Sequence, residues 1–267
     1  MIAYTLAQFR LSQKIFWRTP VMVAMGFGFP LLVGGLFPLI MPDGAWGGAT
    51  LSAYLVTGVL VLALGMLAFM NLLEVLVQRR QQLILKRLRG TELPDLAIFA
   101  GEILCVIVVV IAQIALLIGL AWAVHGIALP ANPALLLATV IAGTAVFAAL
   151  AVAVSGRIPG QGMTIFVGLP FLFLTIGLSG LAYPISQLPG WVQAPLSYLP
   201  FIPIADGIRT AYLGKDFVHQ QGSAVPPDIG VLEGFQVMWQ GWIVLAVWLV
   251  VALWAAKRWF KWEPRRG

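Results

Sequence analysis

The chain has 267 residues, of which 61% are hydrophobic and 10% are charged, and its mean hydropathy is +0.96. Soluble globular domains carry about 25% charged residues, so this composition excludes an ordinary water-soluble protein and indicates an integral membrane protein. Basic residues of membrane proteins gather near anionic headgroups, so the net charge of +6 predicts membrane lipid as a partner and excludes nucleic acid.

Residues 1–19 come before the first apolar run and are predicted to form an interfacial helix. Arg10, Lys14 and Arg18 recur every four residues, which puts three cations on one stripe of a helix. Other faces carry apolar and aromatic side chains, namely Leu6, Phe9, Phe16 and Trp17. Such a helix lies along the inner leaflet and leads into the first span at Pro20. The alternative is a basic leader that only satisfies the charge bias.

Five long runs free of Lys, Arg, Asp and Glu predict the membrane-crossing helices. A helix of about 20 apolar residues crosses about 30 Å of hydrocarbon. The run 103–156 is long enough for two such helices, and polar and helix-stopping residues at 130–133 divide it. We predict six spans, numbered 1 to 6 in chain order: 21–40, 51–77, 97–124, 134–155, 162–183 and 236–256. The predicted fold class is therefore an all-α integral membrane protein.

The distribution of the sixteen Lys and Arg residues predicts the orientation. With six spans both termini share one side, and that side holds all of these residues except Arg209 and Lys215. Cytoplasmic segments carry an excess of basic residues. Both termini are therefore predicted to be cytoplasmic, in a multi-pass protein of the inner membrane of a bacterium.

A basic segment at 79–90 joins spans 2 and 3 and is predicted to be a short amphipathic helix. Leucines alternate there with Lys and Arg, Gly90 is placed to end the helix, and Pro94 opens the next element. A connection that only reverses the chain needs no leucine face, so we expect this face to dock against another protein. The candidate contact residues are Arg80, Leu83, Leu85, Lys86, Arg87 and Leu88. The alternative is a cationic surface helix that only maintains the topology.

The segment 184–210 follows span 5 and is unusually apolar for an outer connection. Five prolines within 184–203 are incompatible with a lipid-facing helix. We therefore predict short re-entrant helices that dip into the outer leaflet or seal a cavity between spans, without a further crossing. Apolar and aromatic side chains of this segment include Trp191, Leu196, Tyr198 and Phe201.

The sequence lacks a phosphate-binding loop. Its only Gly-Lys pair, Gly214-Lys215, is followed by Asp216, and Arg209 stands where the first glycine of such a loop belongs. We predict that the chain is not an enzyme and that it binds no ATP itself. The histidines and acidic residues are scattered along the sequence, which predicts no metal site.

One enzymatic motif, Gly177-Leu178-Ser179-Gly180, matches the GxSG of rhomboid-like intramembrane serine proteases. That family pairs its serine with a histidine on a later span. Here His219 lies in the hydrophilic outer loop and His125 ends an earlier span, so the general base is misplaced. Small residues in a membrane helix more often serve packing, and an intramembrane serine protease is kept only as a remote alternative.

Polar side chains inside the spans are few. Glu74 and Glu102 lie near helix ends and are either groups of a pathway or simply hydrated. The charge-free runs supply no carboxylate at mid-depth, which argues against ion-driven transport. Candidates for lining a translocation path are Thr57, Asn71, Phe171 and Thr175.

These elements, in this order, resemble the membrane subunit of ABC-2 type exporters. That family includes daunorubicin-resistance permeases and polysaccharide or teichoic-acid exporters. The resemblance covers the whole chain, 1–267, as a single transmembrane domain. Its specific elements are the amphipathic leader, Leu-Lys-Arg-Leu-Arg-Gly-Thr-Glu-Leu-Pro at 85–94, Leu-Pro-Gly-Trp-Val-Gln at 188–193, Leu-Pro at 199–200 and Asp-Gly-Ile-Arg at 206–209.

The resemblance implies a permease that works as a homodimer, or with a similar permease, beside two separate ATPase chains that bind ATP and Mg. It implies that 79–90 is the coupling helix seated in the ATPase, and that the residues from Trp191 to Phe201 form an outer gate. A path at the dimer seam lined by apolar residues and Thr favours hydrophobic or amphiphilic compounds as substrates. Export of lipid-linked polysaccharide or teichoic acid is the main alternative.

Overall fold

The computed structural model describes residues 2–40, 44–46, 48–84, 95–181, 183–220, 222 and 224–260. Most of them are helical, and a small hairpin comes before span 2, in which Ala45–Trp46 pairs antiparallel with Ala49–Thr50. A leader helix covers Ile2–Arg18. Two outer helices between spans 5 and 6 cover Gly190–Leu196 and Phe201–Leu213.

Six of the described helices are long and apolar enough to cross a membrane. They are Pro20–Ile40, Leu51–Gln81, Ala97–His125, Pro133–Ser155, Gln161–Leu178 and Trp239–Trp259. Their order agrees with spans 1 to 6, which confirms the prediction of an all-α, multi-pass membrane protein. The side of the membrane on which the termini lie stays a prediction.

Local sequence sets where two of the spans begin. Thr50 comes before span 2, and its Oγ1 accepts a hydrogen bond from the Ala53 amide at 3.3 Å. Asn132 comes before span 4, and its Oδ1 accepts a hydrogen bond from the Leu135 amide at 3.0 Å. Side-chain oxygens at these positions satisfy amides that have no acceptor within the helix. Pro133 is the first helical residue of span 4, where its missing N–H leaves no bond unmade.

The inner boundary of span 2 differs from the prediction. The helix runs to Gln81 and not to 77, so residues 79–81 of the predicted coupling helix are the last residues of span 2. The chain then turns at Gln82 and Leu83, and Leu83 has a left-handed φ of 59°. Residues 85–90 of the predicted coupling helix lie outside the described residues.

Spans 5 and 6 also differ from their predicted limits. Span 5 ends at Leu178 and not at 183, because the chain leaves the helix at Gly180, whose φ is 73°. Span 6 begins at Trp239 and not at 236, because a separate short helix, Val231–Val237, ends just before it. The predicted limits were taken from the apolar runs alone, and an apolar run continues through these local helix breaks.

Span 2 is the central helix of the described structure. It packs against spans 1, 3, 4 and 5 and against the second outer helix. Its most apolar stretch is 78% buried, whereas that of span 6 is 17% buried. A π-helical segment, Met66–Asn71, lies within it and makes the helix locally wider. The contacts at the two ends of span 2 therefore decide how the other elements are held.

The two outer helices are too short to cross the membrane, which agrees with the prediction that the chain makes no seventh crossing. The longer one, Phe201–Leu213, has 13 residues, which extend about 20 Å at 1.5 Å per residue and fall short of the hydrocarbon thickness of about 30 Å. This helix packs against spans 2, 4 and 6. Whether the outer helices enter a bilayer stays a prediction.

Single cysteines at Lys14, Ser197 and His219, which are all exposed, test the orientation. We expect an impermeant maleimide added to intact cells to label positions 197 and 219 but not position 14, because the basic leader belongs on the cytoplasmic side. Permeabilised cells should show labelling at all three. Cys105 is buried and is replaced by Ala as the background. Labelling of position 14 alone in intact cells would show that the predicted orientation is inverted.

Candidate functional site

We call the ends of the spans beside the leader helix the inner ends, and the ends beside the outer helices the outer ends. At the inner end of span 3, Glu102 is 3% exposed and binds the leader helix. Its Oε1 accepts hydrogen bonds from Gln8 Nε2 at 2.7 Å and from Ser12 Oγ at 2.5 Å. At Gly101 the two helices touch, since a Cβ there would lie 2.7 Å from the Gln8 Cβ.

The same carboxylate is paired with Arg79 at the inner end of span 2. Arg79 Nη1 donates to Glu102 Oε1, and both side chains are buried. A buried charge is tolerated when it is paired and hydrogen-bonded. Glu102 thus joins the leader helix, span 2 and span 3 at one point, which we call the inner joint. Its burial excludes the interpretation that it is merely a hydrated residue at a helix end.

The inner joint uses a face of the leader helix that sequence analysis missed. Gln8, Ser12 and Phe16 are buried, and they recur every four residues like the cations. Arg10, Lys14 and Arg18 are all exposed, on a separate stripe. The sequence did contain a signal for this buried face. Gln8 and Ser12 are polar residues one turn apart on a helix that was expected to pack through apolar side chains.

Arg80 lies inside the protein, which corrects its predicted place on the surface that contacts the ATPase. The residue is 2% exposed. Its Nη1 donates to the Ser155 carbonyl oxygen at 2.6 Å, and its Nη2 donates to the carbonyl oxygen of Ile158. These carbonyls lie at the inner end of span 4 and just beyond it, where the helix leaves its last carbonyls without intrahelical donors. Arg80 therefore fixes span 2 to span 4.

Glu74 makes the corresponding connection from span 2 to span 5. Its Oε1 accepts from Gln161 Nε2 at 3.0 Å, and its Oε2 accepts from Thr164 Oγ1 at 2.5 Å. Together with Arg79 and Arg80, it ties one helix end to the leader helix and to spans 3, 4 and 5. The inner end of span 2 is thus the best-connected polar region among the described residues.

The other predicted ATPase contacts are only partly described. Leu83 is 40% exposed, and its neighbour Ile84 is 36% exposed. Leu85, Lys86, Arg87 and Leu88 lie outside the described residues. Their contact with an ATPase stays a prediction.

At the outer end of span 2, a second buried arginine joins three elements. Arg209, on the second outer helix, is 4% exposed. Its Nη2 donates to the Ser179 carbonyl oxygen at 2.6 Å, at the end of span 5, and its Nε donates to Thr57 Oγ1 at 3.4 Å, in span 2. The guanidinium also lies 4.1 Å from the centroid of the Tyr54 ring, within the range of a cation–π interaction. We call this cluster the outer joint.

Asp206 contributes little to the outer joint as a counter-ion. Its Oδ1 lies 3.8 Å from Arg209 Nη1, longer than a charge-assisted hydrogen bond. Burial raises the pKa of the Asp206 carboxyl to about 7, although the Arg209 charge opposes the shift. Its distance makes Asp206 a weaker partner of Arg209 than the Ser179 carbonyl oxygen at 2.6 Å, and the Tyr54 ring lies against the same guanidinium. In the sequence, Arg209 was interpreted as an outer charge and as part of the Asp-Gly-Ile-Arg element at 206–209, and its burial was not predicted. The available signal was a charged pair on an otherwise apolar helix.

The sequence model of a protein family, described as ABC-2 family transporter protein, matches residues 42–257, which is most of the chain. The chain belongs to the ABC-2 transporter family. This result confirms the resemblance seen in the sequence, and ABC-2 permeases generally work with an ATP-binding cassette ATPase. No curated protein matches the chain.

The structure separates the predicted outer-gate residues of this ABC-2 family member into two groups. Trp191 is 81% exposed and Tyr198 is 71% exposed, while Leu196 is partly buried. Phe201 is 6% exposed and belongs to the core. The assignment of the exposed residues to a gate stays a prediction.

The candidate path residues of this ABC-2 chain lie mostly within helix contacts. Phe171 stacks on Phe69 at a centroid distance of 3.7 Å and lies 5.2 Å from the Phe201 ring. Thr57 and Thr175 are buried, and their hydroxyls donate to the Tyr54 and Phe171 carbonyl oxygens.

Asn71, at the end of the π-helical segment, is partly buried. The structure brings Phe171 and Thr175 beside span 2, and their role in a path stays a prediction.

The GxSG motif of this ABC-2 chain forms part of the outer joint. Ser179 Oγ donates to the Ile176 carbonyl oxygen at 3.1 Å, and the Ser179 carbonyl oxygen accepts from Arg209. His219 is paired instead with Asp216, at 2.9 Å. In the part of the chain that the structure describes, no group of three His, Cys, Asp or Glu is arranged to hold a metal ion.

Replacing Glu102 with Gln tests the inner joint. The variant keeps the size of the side chain but leaves the buried Arg79 charge without its counter-ion, and loss of one partner of a buried pair costs about 3–5 kcal/mol. We expect the free energy of unfolding in detergent to fall by about that amount. Asp228→Asn is the matched control, because Asp228 is 86% exposed in its pair with Lys215 and such pairs contribute less than about 1 kcal/mol. Equal effects of both variants would contradict the inner joint.

Replacing Arg209 with Lys tests the outer joint. Lysine keeps the charge but cannot donate in two fixed directions while it stacks on Tyr54. We expect a loss of about 2 kcal/mol in unfolding free energy, the scale of one hydrogen bond to a charged group. The same measurement on Arg10→Lys, at an exposed position, should show almost no change. If Arg209→Lys unfolds with the same free energy as the parent, the outer joint does not stabilise the protein.

Proposed function

We propose that this ABC-2 family member is the permease subunit of an ATP-driven exporter of hydrophobic or amphiphilic compounds. The family match over residues 42–257 carries the proposal. In the proposed assembly, two permease chains span the inner membrane, and two separate ATPase chains bind ATP and Mg on the cytoplasmic side. The permease itself carries out no chemistry.

The inner joint supports a mechanical connection between the ATPase and the membrane. The segment 79–90, the proposed coupling helix, begins with Arg79 and Arg80 themselves, in the last turn of span 2. A force on this segment therefore acts on Glu102, and through Glu102 on the leader helix and span 3. ATP shifts the equilibrium between two permease conformations only when the ATP-bound partner binds one of them more tightly.

Exposed apolar side chains support a hydrophobic or amphiphilic substrate. Span 1 exposes Leu32 and Leu36 at 60% and 55%, and span 5 exposes Phe166 and Phe173 at 69% and 68%. We propose that such faces line the seam between two copies or contact lipid. A seam of this composition offers few hydrogen-bond partners to a free sugar chain.

Reconstitution tests the proposed function directly. The chain and its cognate ATPase, in inside-out vesicles, should concentrate a fluorescent amphiphile in the lumen when ATP is added outside. The control is an ATPase variant that binds but does not hydrolyse ATP. Movement of a lipid-linked polysaccharide in place of the amphiphile would favour the polymer-exporter alternative. Full ATPase activity of the purified permease chain alone would contradict the proposal.

Aspartate substitutions at Leu83, Leu85 and Leu88 test the coupling helix. Buried interface anchors contribute about 2 kcal/mol or more each, so the triple variant should lose permease-dependent stimulation of the ATPase and should weaken the complex in pull-down experiments. Insertion into the membrane should be unchanged. Leu232→Asp, at a 79% exposed leucine near the outer ends, is the matched control and should behave like the parent. Normal stimulation by the triple variant would refute the assignment.

A further inference from the structure

A cavity of about 360 Å³ lies between the two outer helices and the outer end of span 6. Three parts of the chain form most of its wall. They are residues 197–198 in the turn after the first outer helix, residues within 202–206 of the second outer helix, and residues within 238–244 at the start of span 6. Ligand-binding cavities have volumes of about 300–1,000 Å³, so this one suits a small molecule or a lipid headgroup.

Packing between helices fixes the wall of the cavity. Trp248 Nε1 donates to the Tyr198 carbonyl oxygen at 2.7 Å, which holds the turn against span 6. A Cβ at Gly241 would lie 3.2 Å from Pro203 Cβ, so the second outer helix and span 6 touch there. Met238, which also lines the cavity, is fully buried. The cavity is therefore formed within one chain by parts of the fold that pack closely.

One carboxylate lines this cavity without a close partner. Asp206 is the only charged residue among the described residues of the wall, and its side chain is 22% exposed, so a ligand can reach it. Asp206 Oδ1 lies 3.8 Å from Arg209 Nη1, beyond the distance of a hydrogen bond. Arg209 does not line the cavity, and it donates to the Ser179 carbonyl oxygen and to Thr57. The acceptor sites of the Asp206 carboxylate thus remain open to a ligand.

The surroundings of Asp206 favour a positively charged ligand. Burial raises the pKa of its carboxyl to about 7; the Arg209 charge opposes this shift, and the Asp216 charge adds to it. The protein by itself therefore stabilises the ionised form of Asp206 poorly. A cation bound at the carboxylate would stabilise that form, so ionisation of Asp206 and binding of a cation favour each other.

The remaining wall combines oxygen acceptors with apolar surface. Ser197 and Gln240, which are both exposed, supply a hydroxyl and an amide oxygen. Ile243 and Val244 supply apolar surface on span 6, and Ile243 is 54% exposed. An ammonium group has three N–H donors and no acceptor, and an alkyl chain gains free energy on apolar surface. The wall therefore matches an ammonium group that carries an alkyl chain.

We propose that this cavity binds a primary ammonium group attached to an apolar chain, with Asp206 as its counter-ion. The ammonium donates to the Asp206 carboxylate and to the oxygens of Ser197 and Gln240, and the apolar chain lies along Ile243 and Val244. Hydrogen bonds between ionised partners are about twice as strong as neutral ones. The group belongs either to an aminophospholipid headgroup or to a free alkylamine. Binding at this cavity needs no ATPase and no transport, so it is independent of the proposed export function.

Two measurements on the full-length chain distinguish these sources, both at a pH about one unit above the Asp206 pKa of about 7. In the first, hexylammonium is titrated by calorimetry into the chain in phosphatidylcholine nanodiscs, with empty nanodiscs as the blank and 1-hexanol as the neutral probe of equal length. In the second, native mass spectrometry counts the phosphatidylethanolamine that is retained after purification from phosphatidylcholine vesicles with a minor phosphatidylethanolamine fraction. Saturable binding of hexylammonium indicates a site open to free amines, and retention in the second arm alone indicates a headgroup site.

The variant Asp206→Asn decides whether this carboxylate is responsible, because it keeps the size of the side chain and removes the charge. We expect binding, or retention, to weaken by about tenfold, which corresponds to about 1.4 kcal/mol. Asp228→Asn removes the same charge from an 86% exposed residue that does not line the cavity, and it should bind like the parent. If Asp206→Asn fails to fold, Ile243→Trp is decisive, because it fills the cavity from an exposed position of the wall and should abolish binding.

Three results would overturn the proposal. They are the absence of binding in both arms, binding of 1-hexanol as tight as that of hexylammonium, and binding that either folded variant of the cavity, Asp206→Asn or Ile243→Trp, leaves unchanged.

Discussion

Hydrocarbon supplies no hydrogen bonds, so each charged group that enters the fold needs partners within the protein. This constraint decides how span 2 is held. At its inner end, Arg79 pairs with Glu102, and Arg80 donates to carbonyl oxygens at and just beyond the end of span 4. At its outer end, Arg209 donates to the end of span 5 and to Thr57. Apolar packing brings the helices together, but these pairs select one arrangement because other rotations of the helices leave a buried charge unpaired.

Much of the architecture could be predicted from the sequence, because it depends on local properties. Charge-free runs identified six spans, Pro133 and Asn132 marked the start of span 4, and the spacing of Arg10, Lys14 and Arg18 gave the exposed stripe of the leader helix. These features need only neighbours in sequence and the period of a helix. The predicted end of span 5 and the predicted start of span 6 were wrong, because the helix breaks at Gly180 and at Met238 within apolar sequence.

The inner and outer joints were not predictable, because they connect residues that are distant in sequence. Glu102 binds Arg79, which is 23 residues away in the sequence, and Gln8, which is 94 residues away. Arg209 binds Thr57, which is 152 residues away. Such a contact depends on the rotation of each helix about its axis, which a single sequence leaves undetermined. Basic residues also have two uses that composition cannot distinguish. Arg10 stays at the surface, whereas Arg80, predicted to meet a partner, is used inside the fold.

The π-helical segment Met66–Asn71 divides span 2 between the two joints. An α-helix turns by about 100° per residue, and a π-helical segment holds an extra residue within its turn. The inner half of span 2 is therefore out of phase with its outer half, and a single helical wheel drawn over Leu51–Gln81 mixes two different faces. Removal of one residue from this segment would restore a regular helix, but it would rotate Glu74, Arg79 and Arg80 away from their partners while Thr57 stayed beside Arg209. The register of the extra residue, and not only the identity of the charged side chains, thus specifies which helices meet at the two ends of the molecule.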